Sequence, residues 1–226
     1  MTLSIGGKTC RLYGAEEPRC LLVQLSARHE TGVLEEEAAQ LAALAGVPFL
    51  LVTIELEVWT VDLMPWADGN ISREPEAGKH GQDTLTYILE ALLPELQRLY
   101  GPMPVILGGY SLGGLFALWA SYQTDAFAAV AAASPSVWIH GWLPFAQKQV
   151  PMAGSIYLSL GDREEHVKNQ AIARVGDNLR SYYDLLQQQL KVDCCTLVWE
   201  QGGHFNDNAG RLARAFAWCL RRVDPA

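Results

Sequence analysis

The stretch that most constrains this chain is a serine set among glycines, Gly109-Tyr110-Ser111-Leu112-Gly113. Before it comes an apolar run over 105–108 that suits a buried strand, and after it an apolar helix starts near Leu112. Strand, sharp turn and helix with serine at the bend form the G-x-S-x-G elbow, which holds a hydroxyl exposed on a strained backbone. A bend this tight leaves no room for Cβ atoms beside the serine, and glycine has none. The helix N-terminus behind Ser111 offers unpaired N–H groups and a positive dipole end, which suit a developing oxyanion. The five-residue pattern alone recurs by chance; the flanking strand and helix are what specify the elbow.

The rest of the chain alternates in the same way. Apolar runs over 20–26, 48–56, 127–133, 155–160 and 192–199 read as buried strands, and 9–13 as a short edge strand. Between them, helical spacing links Leu34, Ala38, Leu41 and Ala45, and Ile172, Val175, Leu179, Tyr182, Leu186 and Leu190. Glu35, Glu36 and Glu37 then read as a solvated first helical turn, where acids suit the dipole. Residues 81–100 are helical, with Pro94 starting a new turn or kinking the helix. A closing helix spans 207–220, capped by Asn206 or Asp207. Segments 57–80 and 134–150 read as long loops.

Strands alternating with helices imply an α/β fold: a mainly parallel central sheet with helices on both faces. No repeat or linker divides the chain, so 1–226 is expected to form one domain, with 57–80 as the only material for a small cap or lid. The loops after five strands, at 26–28, 111, 134–138, 161–166 and 202–206, gather at the carboxyl edge of the sheet, where such folds bind ligands.

Composition excludes several classes. A net charge of −8 argues against nucleic acid and anionic membrane surfaces as partners. No stretch has the length and apolarity of a membrane-spanning helix, and the N-terminus does not read as a signal peptide. The five cysteines have no metal-like spacing and read as reduced thiols of a cytoplasmic protein. Nothing calls for a metal or organic cofactor, and oligomeric state is not legible.

A serine hydroxyl is a weak nucleophile until a base takes its proton, and that base is typically a histidine oriented by a carboxylate. In elbow-bearing α/β enzymes the chain order is serine, acid, histidine. Of the five histidines, His204 lies after the last strand in Gly202-Gly203-His204, and is the candidate base. His166 is the runner-up, before that strand. The acid is expected after the strand at 155–160, where Asp162, Glu164 and Glu165 offer three choices. Metal binding by Glu164, Glu165 and His166 is a weaker reading, because that spacing gives no closed coordination set. The oxyanion donors are expected to be the N–H of Leu112 and one from the loop after the strand at 20–26, near Ala27 or Arg28.

Four segments together carry a family resemblance: GYSLGG, SPSVW at 134–138, the GDREE loop and GGHFN. The chain from about residue 20 onward resembles the putative esterase family of α/β-hydrolases, which includes enterochelin-esterase-like, feruloyl-esterase-like and S-formylglutathione-hydrolase-like proteins. The resemblance implies a serine esterase that forms and hydrolyses an acyl-enzyme on a small-molecule ester. It places the acid at the fourth position of a Gly-x-x-acid turn, Glu164. It sets Trp138 along the substrate pocket, and Tyr110, next to the serine, is a second pocket candidate. The chain departs from the family in lacking a histidine-glycine run after its first strand, and in carrying glutamate where aspartate is commoner. Two other readings use the same residues: a thioesterase or acyltransferase, and a hydrolase-like protein that binds a ligand without turnover.

Overall fold

The computed structural model describes residues 1–27, 31–191 and 193–223. Eight strands form one sheet: β1 (Thr2–Ile5), β2 (Lys8–Gly14), β3 (Cys20–Ala27), β4 (Phe49–Leu56), β5 (Val105–Tyr110), β6 (Ala129–Ala133), β7 (Ser155–Gly161) and β8 (Cys195–Glu200). Their order is β1-β2-β4-β3-β5-β6-β7-β8. The strands from β4 to β8 in that order are parallel, whereas β1 and β2 are antiparallel. The parallel strands β3 to β7 are mostly apolar because both faces of the sheet are covered there, whereas β8, at the edge, has no fully buried residue.

The short strand expected at 9–13 is β2, and it is not at the edge. Its outer side is covered by β1, whose Leu3 sits opposite Cys10. Thr2–Ile5 is short and half polar, too weak a pattern to stand out without its partner strand.

Helix α1 (Thr31–Leu44) follows β3 and lies on one face of the sheet with the closing helix α9 (Asn208–Leu220). Because α1 starts at Thr31, Glu35, Glu36 and Glu37 fall in its second turn rather than its first. Glu37 is not solvated. It shares the inner stripe with Leu34 and Leu41, is 1% exposed, and accepts a hydrogen bond from Gln24 of β3 at 3.1 Å. Helix α9 starts after Asp207, which holds the cap position in a left-handed conformation with no capping bond from its side chain.

On the other face, a short α2 (Trp59–Asp62) precedes α3 (Gly81–Tyr87), a π-helical turn at Ile88–Leu92, and α4 (Leu93–Tyr100). The π turn is the expected kink. Pro94 has no N–H to give the carbonyl four residues back, and the helix widens so that Leu93 N–H bonds to Ile88 O instead. Helix α5 (Leu112–Ala120) follows β5. Then come α6 (Trp142–Ala146), a helical turn inside the expected loop 134–150, α7 (Gln170–Ala173) and α8 (Val175–Gln189).

Segment 57–80 is pinned to the body through its middle. Leu63 and Met64 are fully buried, Trp66 Nε1 donates to His140 O at 2.8 Å, and Asp68 accepts His140 N–H at 2.8 Å.

The order reverses between β3 and β5: from β3 the chain moves outward to β4, and from β5 it moves outward the other way. Such a switch point is where open α/β sheets bind ligands, outside the carboxyl ends of the strands. Ser111 stands there, one residue past β5.

Candidate active site

The elbow is built by close packing. A Cβ on Gly109 would lie 2.5 Å from the carbonyl carbon of Gly113, so only glycine lets β5 turn back onto α5. Ser111 pays for the bend with a φ of 56°, unusual for a residue with a side chain. Its backbone is over-determined: Ser111 N–H donates to Ala133 O at 3.1 Å, and Ser111 O accepts from Leu115 N–H at 3.0 Å and Ser136 N–H at 3.1 Å.

Across the edge, β8 ends in a tight turn in which Asn206 N–H reaches Gly203 O at 3.2 Å. This turn carries His204. Its Nε2 lies 3.1 Å from Ser111 Oγ, and its Nδ1 lies 2.7 Å from Glu164 Oε2. Glu164 comes from the turn after β7, where Glu164 N–H bonds to Gly161 O and the carboxylate folds back onto Gly161 N–H at 2.8 Å. Serine, acid and histidine therefore converge from three loops in that chain order.

The other candidates lie elsewhere. Asp162 is exposed and accepts Gly202 N–H at 2.8 Å, Glu165 pairs with Arg180 at 2.8 Å, and His166 is exposed on the same turn. Glu164, Glu165 and His166 do not converge on a common point. Leu112 is the first residue of α5, so its N–H has no partner within the helix. Ala27 closes β3, in register with Leu56. Arg28, the other position considered for the second oxyanion donor, lies outside the described residues, as does His29.

Arg211 of α9 is the main residue that sequence reasoning passed over. It is fully buried. Its Nη1 lies 2.8 Å from Glu164 Oε1, 3.0 Å from Ser134 Oγ and 3.0 Å from the Tyr110 hydroxyl, and Nη2 reaches Gly203 O at 3.2 Å. The signal is present in the spacing: Arg211 shares a four-residue stripe with Ala215 and Cys219, both buried. Ser134, at a φ of 45°, donates to Glu164 Oε1 at 2.7 Å. Tyr110 borders the larger cavity with its ring, while its hydroxyl donates to His204 O at 2.7 Å. Guanidinium, phenol and serine thus hold both the acid and the backbone of the histidine turn.

Burial pushes the Glu164 carboxyl up, but hydrogen bonds from His204, Ser134 and Gly161 N–H outweigh it and hold the group below the usual carboxylate range. A carboxyl lowered in the folded state adds stability above its unfolded pKa of about 4.3, and that contribution is lost as pH falls through the folded value. Acidification below about pH 4 is therefore expected to lower the melting temperature of the wild type more steeply than that of Glu164→Gln, measured by thermal melts across pH. Parallel curves would show that Glu164 carries no such linkage.

Ser111 and His204 stand between two cavities. The larger, about 650 Å³, runs toward β3 and α1 past Gln24, Leu34 and Trp59. The smaller, about 250 Å³, runs toward α7 and α8 past Ser136, Trp138, Ile172 and Val175. Trp138 is half-buried at its wall.

A strained serine at a switch point, facing an imidazole backed by a buried carboxylate, defines the class of α/β-hydrolase serine enzymes. The family described as Putative esterase matches residues 35–189, well over half of the chain, and the chain belongs to it. It is a carboxylic-ester hydrolase. Among solved structures, the siderophore hydrolase EstA from Aspergillus nidulans is similar at 18% identity, covering 96% of this chain and 90% of its own, with a TM-score of 0.78. The siderophore hydrolase EstB from the same organism is similar at 17% identity over 99% of this chain and 94% of its own, with a TM-score of 0.74. An IroE-like serine hydrolase from Shewanella oneidensis is similar at 14% identity over 96% and 75%, with a TM-score of 0.73. At these identities the likeness shows the α/β-hydrolase fold. No curated protein matches the sequence significantly.

Proposed function

We propose that Ser111, His204 and Glu164 are the catalytic triad of this esterase. The observation that carries the proposal is the unbroken run of hydrogen bonds from Ser111 Oγ through the His204 ring to a buried, charge-held carboxylate. Ionised Glu164 is an acceptor only, so it keeps the ring proton on Nδ1 and leaves Nε2 free to take the serine proton. Ser111 Oγ attacks the ester carbonyl as His204 accepts that proton. The oxyanion forms against Leu112 N–H, with Ala27 N–H as the second donor. The alkoxide leaves with the proton from His204, and water, activated by the same ring, then attacks the acyl-serine and releases the acid.

Water has access to the ring as acyl acceptor, because the His204 side chain is 33% exposed. The same architecture serves a thioester, so the acyl acceptor and the leaving atom are separate questions for the assay. The similar siderophore hydrolases raise a siderophore ester as one substrate reading, and a cavity of about 650 Å³ beside Ser111 is roomy enough for a substrate larger than a simple alkyl ester. All five cysteines are free, which supports the reading of a cytoplasmic protein with reduced thiols. No helix among the described residues is long and apolar enough to cross a membrane. We read residues 1–226 as one domain, with 57–80 as a fixed strap from which Trp59 reaches the larger cavity.

Labelling with a fluorophosphonate, followed by turnover of acyl esters, a thioester and a siderophore ester, tests the reading. Rapid stoichiometric labelling with hydrolysis of at least one ester is expected. A folded wild type that neither reacts with the probe nor turns over any member of the panel would leave only a ligand-binding role.

A further inference from the structure

Phe205 is the anomaly of the site. It is 88% exposed, the most exposed phenylalanine or tryptophan among the described residues, and it directly follows the histidine that faces Ser111. Nothing in the turn demands it. The bend is closed by Gly203 and Asn206, and positions inside such turns favour small or polar residues. Its ring meets His204 edge-on, with centroids 5.1 Å apart at 84°. An apolar ring held in water forgoes the gain of burial, so its worth lies in something the fold does not contain.

Its place says what that is. Phe205 borders both cavities that meet at Ser111. In the smaller one it joins Trp138, Val167, Ile172 and Val175 around a floor made by Ser111 and Ser136. Val167 is also exposed, at 39%. At about 250 Å³ this chamber suits one arm of an ester rather than a whole large substrate.

We infer that Phe205 is a specificity-determining residue, forming with Trp138 an apolar chamber that takes an aromatic or similarly bulky apolar arm of the ester cleaved at Ser111. The occupant is the substrate itself, because the chamber's floor contains the attacking serine. The inference rests on the esterase reading and narrows it to esters with such an arm. Binding would cover the exposed ring, and offset or edge-on packing against it would favour an aromatic partner over an alkyl chain of equal area.

The test uses the full chain and three esters: ethyl acetate as reference, ethyl phenylacetate with the ring on the acyl side, and benzyl acetate with the ring on the alcohol side. The wild type is expected to favour one ring-bearing ester over ethyl acetate in kcat/KM, and which one identifies the arm. In Phe205→Ala that ratio is expected to fall about ten- to a hundred-fold, mainly through KM, as removal of one covering phenyl requires. The melting temperature stays put because the side chain is already in water, and Phe205→Tyr restores the ratio. An unchanged ratio in Phe205→Ala would overturn the inference, as would a wild type with no preference for a ring. An equal fall on all three esters would overturn it too, making Phe205 a support for the His204 ring. A loss of self-association by light scattering with the ratio intact would make it a contact between copies instead. Failure of the esterase reading is distinct: the wild type would then escape the fluorophosphonate and cleave none of the three.

Discussion

Ser111→Ala is expected to abolish fluorophosphonate labelling and to lower ester turnover on the order of a million-fold, the loss seen when a fully developed triad is deprived of its nucleophile. The variant should remain folded. Among the described residues the Ser111 hydroxyl bonds to His204 at 3.1 Å and Ser136 at 3.3 Å, both within the site, while the backbone bonds that fix the elbow do not involve it. Alanine also has a Cβ and inherits the strain of a φ of 56°, so the melting temperature should hardly move. Ser111→Gly is a useful companion. It is equally inactive, but glycine tolerates this φ, so it should melt higher than Ser111→Ala. Matched inactivity with that ordering of stabilities would show strain held at Ser111. Labelling that survives in Ser111→Ala would point to Ser136, and the assignment of the nucleophile would pass to it.

How far the chain can be read in advance follows the range of the interactions involved. The elbow is local: Gly109 and Gly113 are four residues apart, and their contact is implied by the pattern that contains them. The strands β3 to β7 are mostly apolar runs, so they stand out without their neighbours. β1 does not, because Thr2–Ile5 acquires meaning only when paired with Lys8–Gly14. Glu37 is misread because its charge suggests solvent, although it stands three residues after Leu34 and four before Leu41 on the apolar stripe; its partner Gln24 lies on a separate strand and no local pattern announces it. Arg211 is hidden for a different reason. Its partners, Glu164, Ser134, Tyr110 and Gly203, come from four separate segments, the farthest 101 residues away in sequence. No local pattern encodes that convergence. The periodicity of α9 can at most mark a cation in a buried stripe. The ranking of Glu164 above Asp162 comes from the family's turn. In the structure the distinction has a plain cause, since Glu164 N–H closes the turn on Gly161 O and aims the side chain inward, whereas Asp162 is turned to solvent and the Gly202 amide.

Glu164→Gln is expected to cost about 10⁴-fold in kcat, through the tautomer of His204 rather than through the fold alone. The amide that replaces the carboxylate has one acceptor and one donor end, and its surroundings choose between the two placements. At the Oε1 position stand Gly161 N–H, Ser134 Oγ and Arg211 Nη1, of which the backbone N–H and the guanidinium can only donate. The carbonyl oxygen of the new side-chain amide must therefore face them, and its NH₂ must face His204. A donor at that point requires Nδ1 to be an acceptor, so the ring proton moves to Nε2. There it meets Ser111 Oγ, and the ring can no longer take the serine's proton. The same change removes the carboxylate paired with the buried Arg211 guanidinium, and breaking one side of a buried pair costs about 3–5 kcal/mol. Kinetics and thermal melts together separate the two effects, because the lost tautomer lowers kcat in molecules that are still folded. Asp162→Asn provides the contrast. It alters an exposed acceptor of Gly202 N–H and leaves the His204 ring untouched, so activity should stay within several-fold of wild type. A crippled Asp162→Asn beside an active Glu164→Gln would transfer the role of the acid to Asp162. Full activity in both would reduce the machinery to Ser111 and His204 acting as a dyad.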